Sequence, residues 1–348
     1  MKENQHENIL SALGEFGLIR KLTEDIIPRH ATTKKGIGDD AAVVDYGSVQ
    51  TVITTDLMLE GIHFDLTYTP LKHLGYKSVV VNLSDIYAMN AVPQHITVSL
   101  GISAKLTPKA VEELYKGIKM ACQRYNVDII GGDTCSSLTG LIISITAIGT
   151  SGLGSLVYRS GARKGDLICV TGDLGAAYMG LLLLKVENRK FEENPAYIPR
   201  LEGYQYLLER HLKPEVHSDF GRFVKDTGIR PTSMIDLSDG LSSDLLHICG
   251  LSNVGCRIYL DKLPLHPETA SLAAEMNLDP IMAGLNGGED YELLFTIPPE
   301  DINKILDKPD ITVIGHMTDE REGCIMILKD DTRLPLEPGG WNAFKSSD

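Results

Sequence analysis

The chain lacks a surplus of basic residues. Lysine and arginine number 33 against 47 acidic residues, for a net charge of −14. That balance argues against nucleic acid or an anionic membrane surface as a partner, because both are held by clustered positive charge. A nucleotide stays open, provided metal ions mediate the contact. The six cysteines include no C-x-x-C pair, and Cys and His together show no zinc spacing. Read as reduced thiols, they imply a cytoplasmic protein. No apolar run reaches the ~18 residues of a membrane helix. The longest, Leu174 to Val186, reads as a buried helix. Residues 1–8 are polar with no apolar core, so no signal peptide is expected. Also missing are G-x-x-x-x-G-K-[ST], G-x-S-x-G, H-E-x-x-H and the EF-hand loop, which excludes the best-marked nucleotide, hydrolase and metal classes.

What remains is a set of acidic turns. Asp85 sits in Val80-Val81-Asn82-Leu83-Ser84-Asp85-Ile86-Tyr87-Ala88-Met89, the end of what reads as an amphipathic helix. An isolated carboxylate in apolar surroundings needs a donor, a base or a metal. No Lys or Arg lies between Lys77 and Lys105. Three further segments place aspartate at the end of a short apolar or Gly-rich run: Gly36-Ile37-Gly38-Asp39-Asp40, Thr54-Thr55-Asp56 and Gly131-Gly132-Asp133-Thr134. Asp236 and Asp239, flanking Ser238, repeat the pattern later. Each alone has an ordinary reading as a turn or a helix cap. Together, converging carboxylates repel unless divalent cations sit between them, which points to a cluster of Mg²⁺ ions centred on Asp85. The GGDT turn is read as following a buried strand, a favoured ligand position in open α/β sheets. His63 reads by default as structural and Arg159 as a surface charge, although a guanidinium among acidic turns suits a triphosphate.

The length of 348 residues suits two domains. Residues 1–11 read as a loose tail, and Glu15 to Ile27 as a helix on the spacing of Phe16, Ile19, Leu22 and Ile26. Strands are expected at Ala41–Asp45, Thr51–Thr55, Ile96–Ile102, Asp128–Ile130 and Leu141–Thr150, with helices at Leu71–Met89 and from Pro108, capped by Thr107, to Tyr125. Alternating strands and helices with short loops indicate an α/β or α+β fold. The small residues Ser151-Gly152-Leu153-Gly154-Ser155 mark a boundary, giving domains of 12–153 and 154–348. In the second, strands are expected at Leu167–Thr171, near Met234–Asp236, at Tyr291–Ile297 and near Val313 and Ile325, with helices at Leu174–Val186, Tyr204–His211 and Glu215–Thr227. Asn82-Leu83-Ser84-Asp85 weakly echoes Asp236-Leu237-Ser238-Asp239.

In order along the chain stand GIGDDAA (36–42), TTD (54–56), EGIHF (60–64), YKSVVVNLSDIYAMNA (76–91), IIGGDT (129–134), RSGARKGD (159–166), IDLSDGL (235–241) and GGEDYELLF (287–295). The set resembles the thiamine-monophosphate kinase family of the aminoimidazole-ribonucleotide synthetase-like superfamily, from about residue 12 onward. The resemblance implies ATP-dependent phosphorylation of thiamine monophosphate to thiamine diphosphate, the final step in making that cofactor. It implies a homodimer whose N-terminal mixed sheets pair into a barrel, followed by an α/β C-terminal domain. It implies magnesium at Asp40, Thr54, Thr55, Asp56, Asp85, Asp133, Asp236 and Asp239, with Asp85 touching several ions. Gly132, Asp133, Arg159 and Ser238 would meet ATP, and His63, Glu289 and Trp341 the thiamine monophosphate. Asp85, Asp133 and Arg159 would carry catalysis.

Two phosphate-bearing anions must then meet in an acidic protein. Unit charges at ~4 Å repel by about 4 kcal/mol at an effective dielectric of about 20. Several Mg²⁺ ions reverse that sign. The acceptor is already an oxyanion, so direct in-line transfer without a phosphoenzyme is expected. Neither Cys135 nor His63 shows the base-and-orienter pattern of a nucleophile. Two other classes fit less of the pattern. One is an amidine-forming or selenophosphate-type synthetase of the same superfamily; the other is a non-catalytic metal- or nucleotide-binding module.

Overall fold

The computed structural model describes Ile19, Thr23, residues 29–47 and residues 49–339. The expected tail, most of the helix expected at 15–27, and Trp341 lie outside the described residues.

The first half builds one open six-stranded sheet. Its elements are β1 (Thr33–Lys35), β2 (Ala42–Asp45), β3 (Gln50–Leu59), α1 (Leu71–Ala88), β4 (Val92–Ser103), α2 (Pro108–Tyr125), β5 (Asp128–Ser137) and β6 (Ile142–Ser151). The spatial order is β1-β2-β3-β6-β4-β5. All pairs are antiparallel except β4 with β5, which α2 connects as a parallel crossover. The Thr107 hydroxyl accepts the Ala110 N–H at 3.2 Å and Pro108 occupies the first turn, so α2 starts where its cap and proline dictate.

The second half holds β7 (Leu167–Thr171), α3 (Ala176–Glu193), α4 (Gln205–Leu212), α5 (Phe220–Thr227), β8 (Ser233–Asp236), α6 (Leu241–Ser252), β9 (Val254–Tyr259), α7 (Pro267–Glu275), α8 (Pro280–Asn286), β10 (Leu293–Ile297), β11 (Ile311–Asp319), β12 (Cys324–Ile327) and β13 (Arg333–Pro335). Its seven strands run β13-β12-β9-β11-β7-β10-β8, with β9 and β12 parallel and the rest antiparallel. The architecture is thus two mixed sheets with helices, and the first sheet is not closed within the chain.

Helix α1 joins the two halves. It is not the amphipathic element its spacing suggested. Apart from Leu71, Lys72, His73 and Asp85 its residues are buried. One side packs on the first sheet and on α2, while the other reaches β8 and α4. A helix covered on every side has no solvent face to mark, which is why the run 79–81 is continuously apolar. Its polar residues are therefore internal and must find partners.

The α1–α2 crossing is set by two glycines. A Cβ on Gly75 would stand 2.0 Å from the Leu114 carbonyl oxygen, and one on Gly117 would stand 1.9 Å from that of Lys72. Both are backbone contacts that no side-chain rotation relieves. Gly117→Ala is expected to destabilise the fold by about 1–3 kcal/mol, the range for overpacking a tight core. Urea titration checks this; an unchanged midpoint would mean that the helices are free to separate.

Candidate active site

The buried centre of the molecule collects three carboxylates from three elements. Asp40 comes from the loop before β2, Asp85 from α1 and Asp236 from the end of β8. One oxygen of each lies within 4.8 Å of the others. Asp40 and Asp236 are buried, and Asp85 is half-buried. Such proximity of like charges is unfavourable by several kcal/mol if all three ionise. Hydroxyls offset part of it. The Thr54 hydroxyl donates to Asp85 at 2.6 Å, and the Ser84 hydroxyl donates to Asp236 at 2.6 Å. Arg159 answers Asp40 with a two-pronged contact, Nε to Oδ2 at 3.0 Å and Nη2 to Oδ1 at 2.9 Å.

The environment shows in the acidities. Burial first, then the charges of Asp56, Asp236 and Asp40, push the Asp85 carboxyl well above the usual range. Burial and then Asp40 push Asp236 up to about 8, although the Ser84 hydrogen bond pulls the other way. Arg159, despite its burial, stays charged because Asp40 is beside it.

Of the two adjacent aspartates, Asp40 enters the cluster. Asp39 turns to Lys35, 3.3 Å away, and accepts the Arg159 main-chain N–H at 3.1 Å. The default surface reading of Arg159 is overturned: its side chain is only 17% exposed, enough to make it part of the site's wall.

Strand β3 lies beside α1, and strand alternation sorts its residues. Thr54 and Asp56 share the face that meets the helix, where the Asp56 N–H donates to the Asn82 side chain at 3.0 Å. Thr55 takes the opposite face, is exposed, and bonds Ile145 and Thr146. Its hydroxyl is not brought to the cluster. Asp133 is not brought there either. It lies on β5, whose register through Gly132, Val98 and Ile145 to Asp56 spans three strand spacings, about 14 Å.

The GGDT segment is a correction. It continues strand β5 instead of following a buried strand, and β5 is exposed almost throughout. Gly132 is required by pairing: a Cβ there would sit 1.9 Å from the Val98 carbonyl oxygen. The echo between 82–85 and 236–239 has no structural counterpart, since the first is mid-helix and the second a strand end with its turn.

The two motifs of the second half lie side by side. Glu289 and Tyr291 N–H groups donate to the Ser238 and Leu237 carbonyls at 2.8 and 2.9 Å. Gly288, Glu289 and Tyr291 all have positive φ, of 69°, 57° and 52°. Two non-glycine residues in that region are a local cost that persists only where surroundings enforce it. The enforcement is visible. Lys77 Nζ holds Glu289 Oε1 at 2.9 Å, and His211 Nδ1 lies 3.2 Å from Oε2. Burial would raise Glu289, but Lys77 and His211 hold it far below the carboxylate range. Next to His211, Arg210 pairs with Glu292 at 2.9 Å and with Asp290 at 3.9 Å. Lys77 and Asp85 are separated by a rise of about 12 Å along α1, so one helix carries both the partner of Glu289 and a member of the cluster. Ser238 and Asp239 are half-buried in the turn between.

His63 is exposed in the loop after β3, and its Nδ1 accepts the Leu59 N–H at 3.1 Å. In the neutral ring that leaves the proton on Nε2, directed away from the strand. Sequence reasoning missed Asn82, Ser84, Lys77, Arg210 and His211. The first three stood in the quoted helix motif, and a polar residue within an apolar helix was the signal.

An all-oxygen donor set of carboxylates and a hydroxyl fits a hard divalent cation such as Mg²⁺. Both halves of the chain match family models, the "AIR synthase related protein" N-terminal domain over residues 38–151 and its C-terminal domain over 163–327. The thiamine-monophosphate kinase of Bacillus subtilis (strain 168) is 34% identical over 341 residues, 96% of this chain and 100% of that protein. That of Aquifex aeolicus (strain VF5) is 36% identical over 335 residues, covering 96% and 99%. A solved structure described as "AaThiL complexed with AMPPCP and TMP" superposes with a TM-score of 0.80 at 35% identity, covering 95% of this chain and 97% of that one.

The acidities predict a pH-dependent response to metal. An unfolded Asp titrates near about 3.9. In the metal-free fold Asp236 keeps its proton up to about 8. Between those values the folded state binds more protons than the unfolded, so the cluster's contribution to stability falls as pH rises. Mg²⁺ binds the ionised form, so its stabilising increment is expected to grow across the same window. Thermal unfolding with Mg²⁺ and with chelator, between about pH 5 and pH 8, measures the increment. A flat increment, or one retained in Asp236→Asn, would separate the cluster from metal binding.

Proposed function

We infer the activity from one premise, that the chain belongs to the thiamine-monophosphate kinase family within the AIR synthase related proteins. It transfers the γ-phosphoryl group of ATP to thiamine monophosphate. A phosphate oxygen of the acceptor attacks the γ-phosphorus in line, the bond to the β-phosphate oxygen breaks, and thiamine diphosphate and ADP leave. The observation that carries this reading is the carboxylate triad of Asp40, Asp85 and Asp236. An acidic cluster repels a polyphosphate by itself and is useful to one only through cations.

Bound Mg²⁺ ions would neutralise the triphosphate and align it with the acceptor. Asp40, Asp56, Asp85, Asp236 and Asp239 are the carboxylates offered to them, with the Thr54 hydroxyl on β3 beside Asp85; Thr55, on the opposite face of β3, and Asp133, at the sheet's far edge, would meet ions only outside this cluster. Arg159 commits two of its five N–H donors to Asp40 and keeps the others for ATP. Gly132, Asp133 and Ser238 complete the nucleotide contacts. Glu289, held ionised, and His63 receive the thiamine monophosphate together with Trp341. No side chain need act as a strong base, because the acceptor oxygen is already anionic.

The chain acts as a homodimer in the cytoplasm. Strand β5 supports the dimer: it is ten residues long, exposed, and an edge of its sheet. Unprotected edges of that length invite pairing, and two such sheets closing on one another would give the barrel. The six cysteines, none in a disulfide, support the compartment. The division into domains 12–153 and 154–348 is supported by the separate sheets on either side of it.

ADP release with thiamine monophosphate as acceptor, against thiamine as control, tests the reading. Turnover with thiamine alone, or with neither, would favour another enzyme of the superfamily or a binding module. Asp85→Asn is expected to abolish turnover, with a fall of at least about 10³ in kcat, while keeping or raising metal-free stability. Near-normal kcat in Mg²⁺ would remove Asp85 from the reaction. Glu289→Gln is expected to raise the KM for thiamine monophosphate about tenfold, the worth of one charge-assisted hydrogen bond, and to leave that for ATP unchanged. Parallel rises in both would make Glu289 a structural residue.

A further inference from the structure

The second sheet carries a sulfur cluster that the kinase chemistry does not use. Cys256 on β9 and Cys324 on β12 are register partners on neighbouring parallel strands. Met317 on β11 is the register partner of Cys256 on the other side. Register partners present their side chains to the same face, so Met317, Cys256 and Cys324 form a row of sulfur residues across three strands. Helix α6 lies over that face and adds Cys249, in the same core. The sulfur atoms of the three cysteines all lie within 4.8 Å of one another.

We propose that Cys249, Cys256 and Cys324 bind a thiophilic divalent cation of the zinc group, with the Met317 thioether alongside.

Three features distinguish this cluster from a set of small apolar fillers. The first is spacing. Zn–S bonds of about 2.3 Å in tetrahedral geometry place sulfurs about 3.8 Å apart, which the cysteines reach by small side-chain rotations. A disulfide between Cys256 and Cys324 fits poorly, because strands about 4.8 Å apart hold the Cβ atoms beyond the ~3.8 Å that a disulfide prefers. The second is convergence. Cys249 comes from helix α6 and Cys256 and Cys324 from two neighbouring strands, so three separate segments bring their sulfurs to one point. The third is access. Cys249 and Cys256 are buried, whereas Cys324 is partly exposed and leaves an approach for the ion and for a water in its fourth position.

Charge selects the valence. Three thiolates around a divalent ion leave one net negative charge in the core, against two for a monovalent ion, and buried charge is costly. Binding is balanced by release of the three thiol protons to solvent. Sulfur ligands select against Mg²⁺, so this site and the carboxylate cluster sort cations without competing. The ion would tie α6, β9 and β12 together near the outer edge of the sheet.

The test uses the full chain, reduced, freed of metal and kept in excess Mg²⁺ so that carboxylates are saturated. Cd²⁺ is titrated in, and thiolate-to-metal charge-transfer absorption is followed, with Co²⁺ as a second probe of coordination number. One equivalent is expected to complete the band and to raise the unfolding temperature. Cys324→Ser, at the partly exposed position, is expected to weaken Cd²⁺ binding at least about tenfold and to lose most of the band. Cys249→Ala is a second variant should the first disturb the fold. Cys135→Ser, which removes an exposed thiol elsewhere, is expected to keep the band. Absence of the band at one equivalent, or its survival in both cluster variants, would overturn the proposal.

Discussion

Mutual repulsion between carboxylates that the fold forces together is the constraint on which the rest depends. Asp40, Asp85 and Asp236 come from a loop, a helix and a strand end, and both sheets must be formed before they meet. The metal-free chain tolerates them through two hydroxyls, one guanidinium and retained protons. Helix α1 makes this possible by being buried on all sides. Its residues face the first sheet, β8 and α4 in turn, so a single rigid element fixes Asp85, positions the donor to Asp236, and holds Lys77 against Glu289. The close glycine crossing with α2 removes the freedom that would let the helix retreat from the charges.

Glu289 illustrates a different solution to the same problem. It lies in a segment with unfavourable backbone angles, held by main-chain bonds to 237–238 and by side chains from two helices. Beneath it, Arg210 joins Asp290 and Glu292. Asp85 and Asp236 resist ionisation, while Glu289 is compelled to ionise. The two groups of acids are thus tuned in opposite directions, as the proposed binding of cations by one and of a polar substrate by the other would require.

Much of this was legible in the sequence where local chemistry decides the structure. Helices α1 and α2 start and stop within a residue of their expected bounds, because apolar spacing and the Thr107-Pro108 cap are local signals. Asp85 stood out because its apolar flanks demanded a partner, whereas the choice of Asp40 over Asp39 came only from the family resemblance. Strand β5 was cut short at Ile130, since Gly131, Gly132 and Asp133 read as turn residues; a parallel partner strand overrides that preference. Helices α7 and α8 were missed although Asp279-Pro280 repeats the cap-then-proline pattern of α2, because seven to nine residues show too little periodicity. Strand β9 was hidden by Gly255, which only the close approach of residues 319 and 323 explains. The pairing of Lys77 with Glu289, and His211 and Arg210 altogether, were invisible for a plainer reason. An ion pair between residues far apart in the chain leaves no trace in composition or spacing.

The Thr54 and Ser84 hydroxyls carry a kinetic consequence. In the metal-free molecule each spends its proton on a carboxylate. The same oxygens hold lone pairs, and turning one to face an arriving cation takes only rotation about a C–O bond. Such rotations finish in picoseconds to nanoseconds, far faster than any movement of strands. If the centre takes Mg²⁺ as proposed, the framework would have no need to reorganise as ions come and go. The shedding of water from the ion would then set the tempo at which the centre loads and empties.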